Sequence, residues 1–152
     1  MIQCNELRTG NFVLIDNNVE KLTLINNDPG FADVPLIGFQ GGTDNYKSCN
    51  SEGVHPVPLT DDILRRCGFS FHEHFHLWQF FSGDTKGLSG MDIDTDYNLI
   101  DFMRRPIVKK MTSLHQLQNI FYALKGTEIG FTTAGGEKLQ EKASMQVESL
   151  RA

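Results

Sequence analysis

The sequence has no long apolar run, little cysteine and no excess of positive charge, and each shortage excludes a class of protein. Nowhere do about 18 consecutive apolar residues occur, so the sequence predicts no transmembrane helix. The N-terminus has no basic stretch followed by an apolar one, and we therefore expect no secretory signal peptide. These two absences predict a cytoplasmic protein with no membrane partner.

Cysteine is present only as Cys4, Cys49 and Cys67, with no CxxC spacing. An odd number without metal-ligand spacing indicates neither a disulfide framework nor a zinc ribbon, so reduced thiols are the expectation. The chain also has no P-loop, dinucleotide fingerprint, nucleophile elbow or HExxH motif. The sequence therefore favours a noncatalytic protein, and a divalent metal is the only cofactor it suggests.

What the chain does have is the composition of one globular domain. Its 152 residues are 39% hydrophobic and 22% charged, and 11 phenylalanines supply material for a core. The formal net charge of −5 opposes nonspecific attraction to nucleic-acid phosphates. We predict a single domain over residues 1–131, followed at 132–152 by a linker and a weakly amphipathic tail helix.

Turn residues and hydrophobic periodicity predict an α+β fold. Near the N-terminus, two apolar segments separated by residues 16–18 are typical of a β-hairpin. Thr60 and Ser113 stand in the sequence context of helix N-caps, which predicts a short helix near 60–67 and a longer one near 114–125. The sheet is expected to be antiparallel and curled, with a small SH3-like barrel as one alternative for its N-terminal part.

A histidine-rich stretch suggests a metal site. Residues 71–81 alternate like a single strand and residues 91–97 alternate again, which predicts a long hairpin centred near Lys86 with histidines and aspartates on one face. Histidines two positions apart on a strand lie about 6.6 Å apart and can chelate one metal ion. The alternative is a solvated polar face without a metal. The candidate ligands are His72, His74, His76, Asp94 and Asp96.

One late stretch of the chain concentrates positive charge. Residues 102–126 hold five basic and no acidic side chains. Such a stretch can bind phosphates while neighbouring polar and aromatic side chains contact bases, although it is also typical of a strand edge that positive charge protects. The candidate nucleic-acid-binding residues are Arg104, Arg105, Lys109, Lys110, His115 and Tyr122.

The function that we expect first is a noncatalytic protein-interaction module. Exposed aromatic side chains are typical of protein contacts, and the histidine-bearing face of the predicted hairpin offers Trp78 and Phe80 as candidates. A nucleic-acid-binding accessory protein is the alternative. A metal-binding protein or metal-dependent enzyme at the hairpin is the third possibility.

Three blocks of the chain are familiar together: NELRTGNFV at 5–13, PVPLTDDILRRCGF at 56–69 and LHQLQNIFYALKGTEI at 114–129. They resemble a group of small uncharacterised proteins encoded by phages and mobile elements of gut Bacteroidales. The resemblance implies that genomic setting and no mechanism. Our first hypothesis, an interaction module, takes a host or phage protein as the partner. A shared scaffold is the simpler explanation of the blocks, and a shared binding surface is the alternative.

Overall fold

The computed structural model describes residues 2–28, 30, 33–40, 45–81 and 90–133. Two compact units are present: the residues up to Pro58 with Ser113–Glu128 form unit 1, and Leu59–Thr112 with the residues from Ile129 form unit 2. Each has an antiparallel sheet and one α-helix, so the predicted α+β fold is confirmed. The single domain over 1–131 stays a prediction, and the predicted tail helix lies outside the described residues.

Unit 1 is built on an open five-stranded sheet in the order β4-β3-β2-β1-β5. The predicted N-terminal hairpin is confirmed, because Asp16 and Asn17 adopt φ of 49° and 68°, as a two-residue turn between twisted strands requires. The described strands do not close on themselves, so the SH3-like barrel is not formed. The strands are β1 (Phe12–Ile15), β2 (Asn18–Asn26), β3 (Leu36–Phe39), β4 (Tyr46–Ser48) and β5 (Val54–Pro56).

The long helix of unit 1, α2 (Leu114–Lys125), packs against β1 and has the predicted ends. The Ser113 side chain accepts a hydrogen bond from the backbone N–H of Gln116, and Gly126 ends the helix in the left-handed conformation. A 3-10 turn (Cys4–Glu6) precedes β1. One hydrophobic core cluster of this unit contains Ile2, Val13, Ile15, Leu22, Ile37, Phe39, Cys49 and Val54.

A disulfide joins Cys4 in the 3-10 turn to Cys49 after β4, with the two Cα atoms 5.9 Å apart. The expectation that all thiols are reduced is therefore wrong for this pair. The cysteines are 45 residues apart in the sequence, and only the folded sheet brings them together. Cys67 stays a thiol, and its burial in unit 2 raises its pKa to about 12.

Unit 2 is built on a second open five-stranded sheet, in the order β10-β9-β8-β7-β6. The short helix α1 (Asp61–Arg66) packs against β6, and the Thr60 hydroxyl accepts a hydrogen bond from the Ile63 N–H at its start, as predicted. No helix in the described ranges is long and apolar enough to cross a membrane. The strands are β6 (Phe69–His72), β7 (Leu77–Phe80), β8 (Met91–Asp94), β9 (Leu99–Ile100) and β10 (Pro106–Val108).

The predicted single strand over 71–81 is wrong, because the chain reverses inside it. β6 ends at His72 and β7 begins at Leu77, so that Phe71 pairs with Trp78 across a tight turn. Residues directly opposite each other point to the same face, and the Phe71 and Trp78 ring centroids lie 5.1 Å apart. This pairing places Trp78 on the face of Phe71, whereas simple alternation assigns the two to opposite faces.

The same correction applies to the next pair of strands. A hairpin centred near Lys86 would place Trp78 opposite Asp94, but the structure places it opposite Ile93, a shift of one residue. Trp78 is therefore 2% exposed and Phe80 is half-buried, so their predicted placement on the histidine-bearing face is wrong. The opposite face of the sheet carries Leu77, Gln79, Asp92 and Ile100.

Reduction of the Cys4–Cys49 bond is expected to lower the free energy of unfolding of the protein by about 3–4 kcal/mol, because the bond constrains a long loop in the unfolded chain. Urea denaturation with and without reductant measures the change. A Cys4→Ser/Cys49→Ser control is expected to show no response to reductant. Three titratable thiols in denatured protein that was never reduced, in place of Cys67 alone, would contradict the bond.

Candidate functional site

Unit 1 contains a polar network between the N-terminal segment and α2. The Arg8 guanidinium donates two hydrogen bonds to the Glu128 carboxylate and a third, of 3.2 Å, to Asn119 Oδ1. The guanidinium also lies over the Tyr122 ring, 4.4 Å from its centroid. The hydrogen bonds to Glu128 are the main cause that raises the Arg8 pKa. One face of Tyr122, a predicted nucleic-acid contact, is thus occupied by the protein itself.

Two amide side chains of α2 bind the N-terminal backbone. Gln118 accepts a hydrogen bond from the Phe12 N–H (2.8 Å) and donates one to the Gly10 carbonyl (3.0 Å). Asn119 donates to the Glu6 carbonyl (2.6 Å). Because a buried polar group without a partner is costly, these bonds hold α2 against the start of β1.

His115, another predicted nucleic-acid contact, is only 2% exposed, so its ring lies in the interior of unit 1 and its role at a nucleic acid stays a prediction. Its Nε2 lies 3.4 Å from both Glu6 Oε2 and Ser113 Oγ, and its Nδ1 has no hydrogen-bond partner within the described part of the chain. Burial lowers the pKa of His115, and the nearby Glu6 carboxylate partly opposes that shift. The ring is therefore a neutral group of the interior.

These contacts give a structural role to two of the three sequence blocks named above, 5–13 and 114–129. The polar network joins residues of block 5–13 to residues of block 114–129, and its side chains bind mainly one another and the backbone. In this protein the two blocks therefore hold each other in place, and the resemblance that they suggest stays a prediction.

The sheet of unit 2 has an open pocket of about 190 Å³ on the face opposite Trp78. Leu77 and Ile100 are buried in the strands beneath it. Aromatic, amide and charged groups complete its wall. The lining residues are Phe75, Leu77, Gln79, Asp92, Ile100, Asp101, Phe102 and Arg104.

The turn between β9 and β10 presents exposed apolar side chains on a tightly bonded backbone. The Asp101 carboxylate accepts hydrogen bonds from the backbone N–H groups of Met103 and Arg105, both 2.9 Å, and from Arg105 Nε at 2.8 Å. The bond from the Arg105 backbone is the largest of the effects that lower the Asp101 pKa. At the tip, Phe102 is 89% exposed and Met103 is 60% exposed.

Exposed cations surround this turn. Arg104 lies over the Phe75 ring, with its Cζ atom 5.5 Å from the centroid. Ile107 lies within β10 and is 62% exposed. Lys109 and Lys110 follow the strand and are also exposed. Residues 99–110, named the β9–β10 hairpin below, thus combine apolar and basic side chains.

The basic candidates from the sequence belong to different units. Arg104, Arg105, Lys109 and Lys110 lie in the β9–β10 hairpin of unit 2, whereas His115 and Tyr122 lie on α2 of unit 1.

The predicted metal ligands lie mostly in turns. His76 is in the β6–β7 turn with φ of 51°, and Asp94 accepts hydrogen bonds from the backbone and side-chain amides of Asn98. Over the described ranges, no three His, Cys, Asp or Glu side chains come together as a metal site. Metal binding stays a prediction. The ligands concerned are His72, His74, His76, Asp94 and Asp96.

Sequence reasoning missed Phe102, Met103 and Ile107. A signal was present, because Phe102 and Met103 are large apolar residues between charged ones, in a segment too short to bury both. Comparisons with known proteins assign no role to these residues: no protein-family model, curated protein or solved structure matches the chain.

Gln118→Ala is expected to lower the free energy of unfolding by about 2 kcal/mol, because it removes the buried hydrogen bonds from the Phe12 N–H and to the Gly10 carbonyl. Urea denaturation of the disulfide-bonded protein measures the loss. Lys125→Ala, an exposed change on the same helix, is the control and is expected to cost less than about 0.5 kcal/mol. Similar losses in the two variants would show that the amide bonds contribute little.

The buried His115 is expected to make stability depend on pH. Its pKa in the folded protein lies below its ordinary value of 6.5, so the unfolded chain binds the proton more readily. Stability from this group is complete above pH 6.5 and falls as the solution is acidified below it. His115→Gln is expected to remove this part of the slope, while His55→Gln, at an exposed site of unit 1, keeps it. Identical slopes would refute a neutral buried His115.

Proposed function

We propose that this protein is a noncatalytic protein-interaction module whose contact surface is the β9–β10 hairpin. The observation that carries the proposal is the exposure of Phe102, 89%, at the tip of a turn that the Asp101 carboxylate holds in place. An apolar side chain on a preordered backbone loses little conformational entropy on binding. Full burial of a phenylalanine contributes about 1.5–3 kcal/mol, so Phe102 is a suitable anchor.

The pocket beside the turn supports the same reading. It shares Ile100, Asp101, Phe102 and Arg104 with the hairpin and has a volume of about 190 Å³. This volume is smaller than the usual pocket for a drug-sized molecule and suits one side chain of a partner protein. The surface therefore offers one anchor that projects outward and one recess that receives a side chain.

The resemblance to proteins of phages and mobile elements supports a host or phage protein as the partner. The disulfide bears on the compartment in which the protein acts, which the sequence predicts to be the cytoplasm. Disulfides persist mainly in oxidising compartments, so the Cys4–Cys49 bond favours such a compartment over the predicted cytoplasm.

Nucleic-acid binding by the same hairpin is a second candidate function. Arg104 over Phe75, next to the exposed Phe102, has the combination of cation and aromatic ring on which single-stranded bases stack. The charge of the whole unit weighs against it, since the described part of unit 2 has six Arg and Lys residues against seven Asp and Glu residues.

Site-specific photo-crosslinking tests the proposal. A benzophenone amino acid is placed at Phe102 in one variant and at Thr95, an exposed residue in the β8–β9 turn, in a matched control. In cells that naturally produce the protein, irradiation is expected to join the Phe102 variant to a defined protein and to leave the Thr95 variant unjoined. Mass spectrometry identifies the product. The same products from both variants, or none, would refute the proposal, and crosslinked nucleic acid would favour the second candidate.

A further inference from the structure

The strand β10 combines an apolar centre with basic flanks. Residues 104–110 read RRPIVKK, with two cations on each side of three apolar residues. The outer strand position makes this sequence accessible, because among the strands that the structure describes β10 pairs only with β9. Ile107 is exposed at its centre, and Phe102 and Met103 are exposed in the turn that precedes it.

Most of this positive charge is not neutralised within the described part of unit 2. Arg105 forms an ion pair with Asp101, which holds the turn. The described residues show no ion pair for Arg104, Lys109 or Lys110, although Arg104 contacts the Phe75 ring. Three cations are therefore available to a partner on the same hairpin as the apolar side chains.

The positive charges around β10 favour some binding partners over others. A second copy that paired antiparallel through β10 would bring basic flanks against basic flanks, and like charges opposite each other on strands destabilise the pair. Lysines and a proline on an edge strand are also known devices against self-association. An acidic segment meets no such repulsion, and its carboxylates would gain ion pairs with the flanks.

We propose that the β9–β10 hairpin docks an acidic protein segment that carries at least one large apolar side chain. Its carboxylates pair with Arg104, Lys109 and Lys110, and its apolar side chain covers Phe102, Met103 and Ile107. The inference rests on the proposed function, and it adds the chemical nature of the partner.

Selection from a displayed library of random short peptides tests the partner's chemistry. The intact, disulfide-bonded protein is the bait, and baits with Phe102→Ala or with Lys109→Glu/Lys110→Glu run in parallel. Lys125→Glu, at an exposed site on α2, is the matched charge control. The wild-type and control baits are expected to enrich peptides that combine several carboxylates with an aromatic or aliphatic residue.

Fluorescence anisotropy of an enriched peptide then gives the size of the effect. Phe102→Ala and Lys109→Glu/Lys110→Glu are each expected to weaken binding about tenfold or more, and Lys125→Glu less than about twofold. Binding is also expected to weaken as salt increases. Unchanged thermal unfolding of the variants shows that these exposed changes leave the fold intact.

The outcomes separate the two proposals. Enriched peptides that need Phe102 but are neutral or basic would overturn the acidic partner and leave the interaction module in place. Enrichment that is unaffected by Phe102→Ala, or no enrichment, would overturn both. A single-stranded oligonucleotide that binds through the same lysines more tightly than every enriched peptide would overturn the acidic protein partner in favour of nucleic acid.

Discussion

The pairing of Phe71 with Trp78 sets the face on which each following side chain of the unit 2 sheet lies, and the proposed contact surface depends on that register. Side chains alternate along a strand, so the position of one reversal assigns every following residue to a face. With β6 and β7 paired in this register, Trp78 lies on the covered face, where Arg65 of α1 stacks on it with 5.1 Å between Cζ and the ring centroid. The opposite face then carries Leu77 and Ile100 in the pocket beside Phe102.

The polar contacts of the two units serve different purposes. In unit 1, the side chains of Arg8, Gln118 and Asn119 bind groups of their own unit, and the disulfide closes the same N-terminal turn onto the sheet. Such a network holds a helix in one position and leaves little for a ligand. In unit 2, the Asp101 carboxylate organises a turn on which the Phe102 and Met103 side chains are exposed. The second arrangement leaves large apolar side chains exposed on an ordered turn.

Exposed apolar side chains on an ordered backbone increase the risk of nonspecific association, because they can bind to any hydrophobic surface. The cations around β10 reduce that risk by repelling another copy of the strand. In the proposed interaction the same cations make the surface selective, because a partner must supply opposite charge as well as apolar contact. Under this proposal, resistance to self-association and the choice of partner depend on the same few residues of the hairpin.

Local signals in the sequence determined the helices and the first hairpin. Thr60 and Ser113 begin helices, Gly126 ends one and Asp16-Asn17 turns the chain, because caps and tight turns depend on neighbours within a few residues. Tertiary structure alone decided the strand register after His72, the pairing of Cys4 with Cys49, the burial of His115 and the exposure of Phe102. Each of these depends on contacts between residues far apart in the chain. The alternation of polar and apolar residues continues through a tight turn, so the pattern alone does not show where the chain reverses.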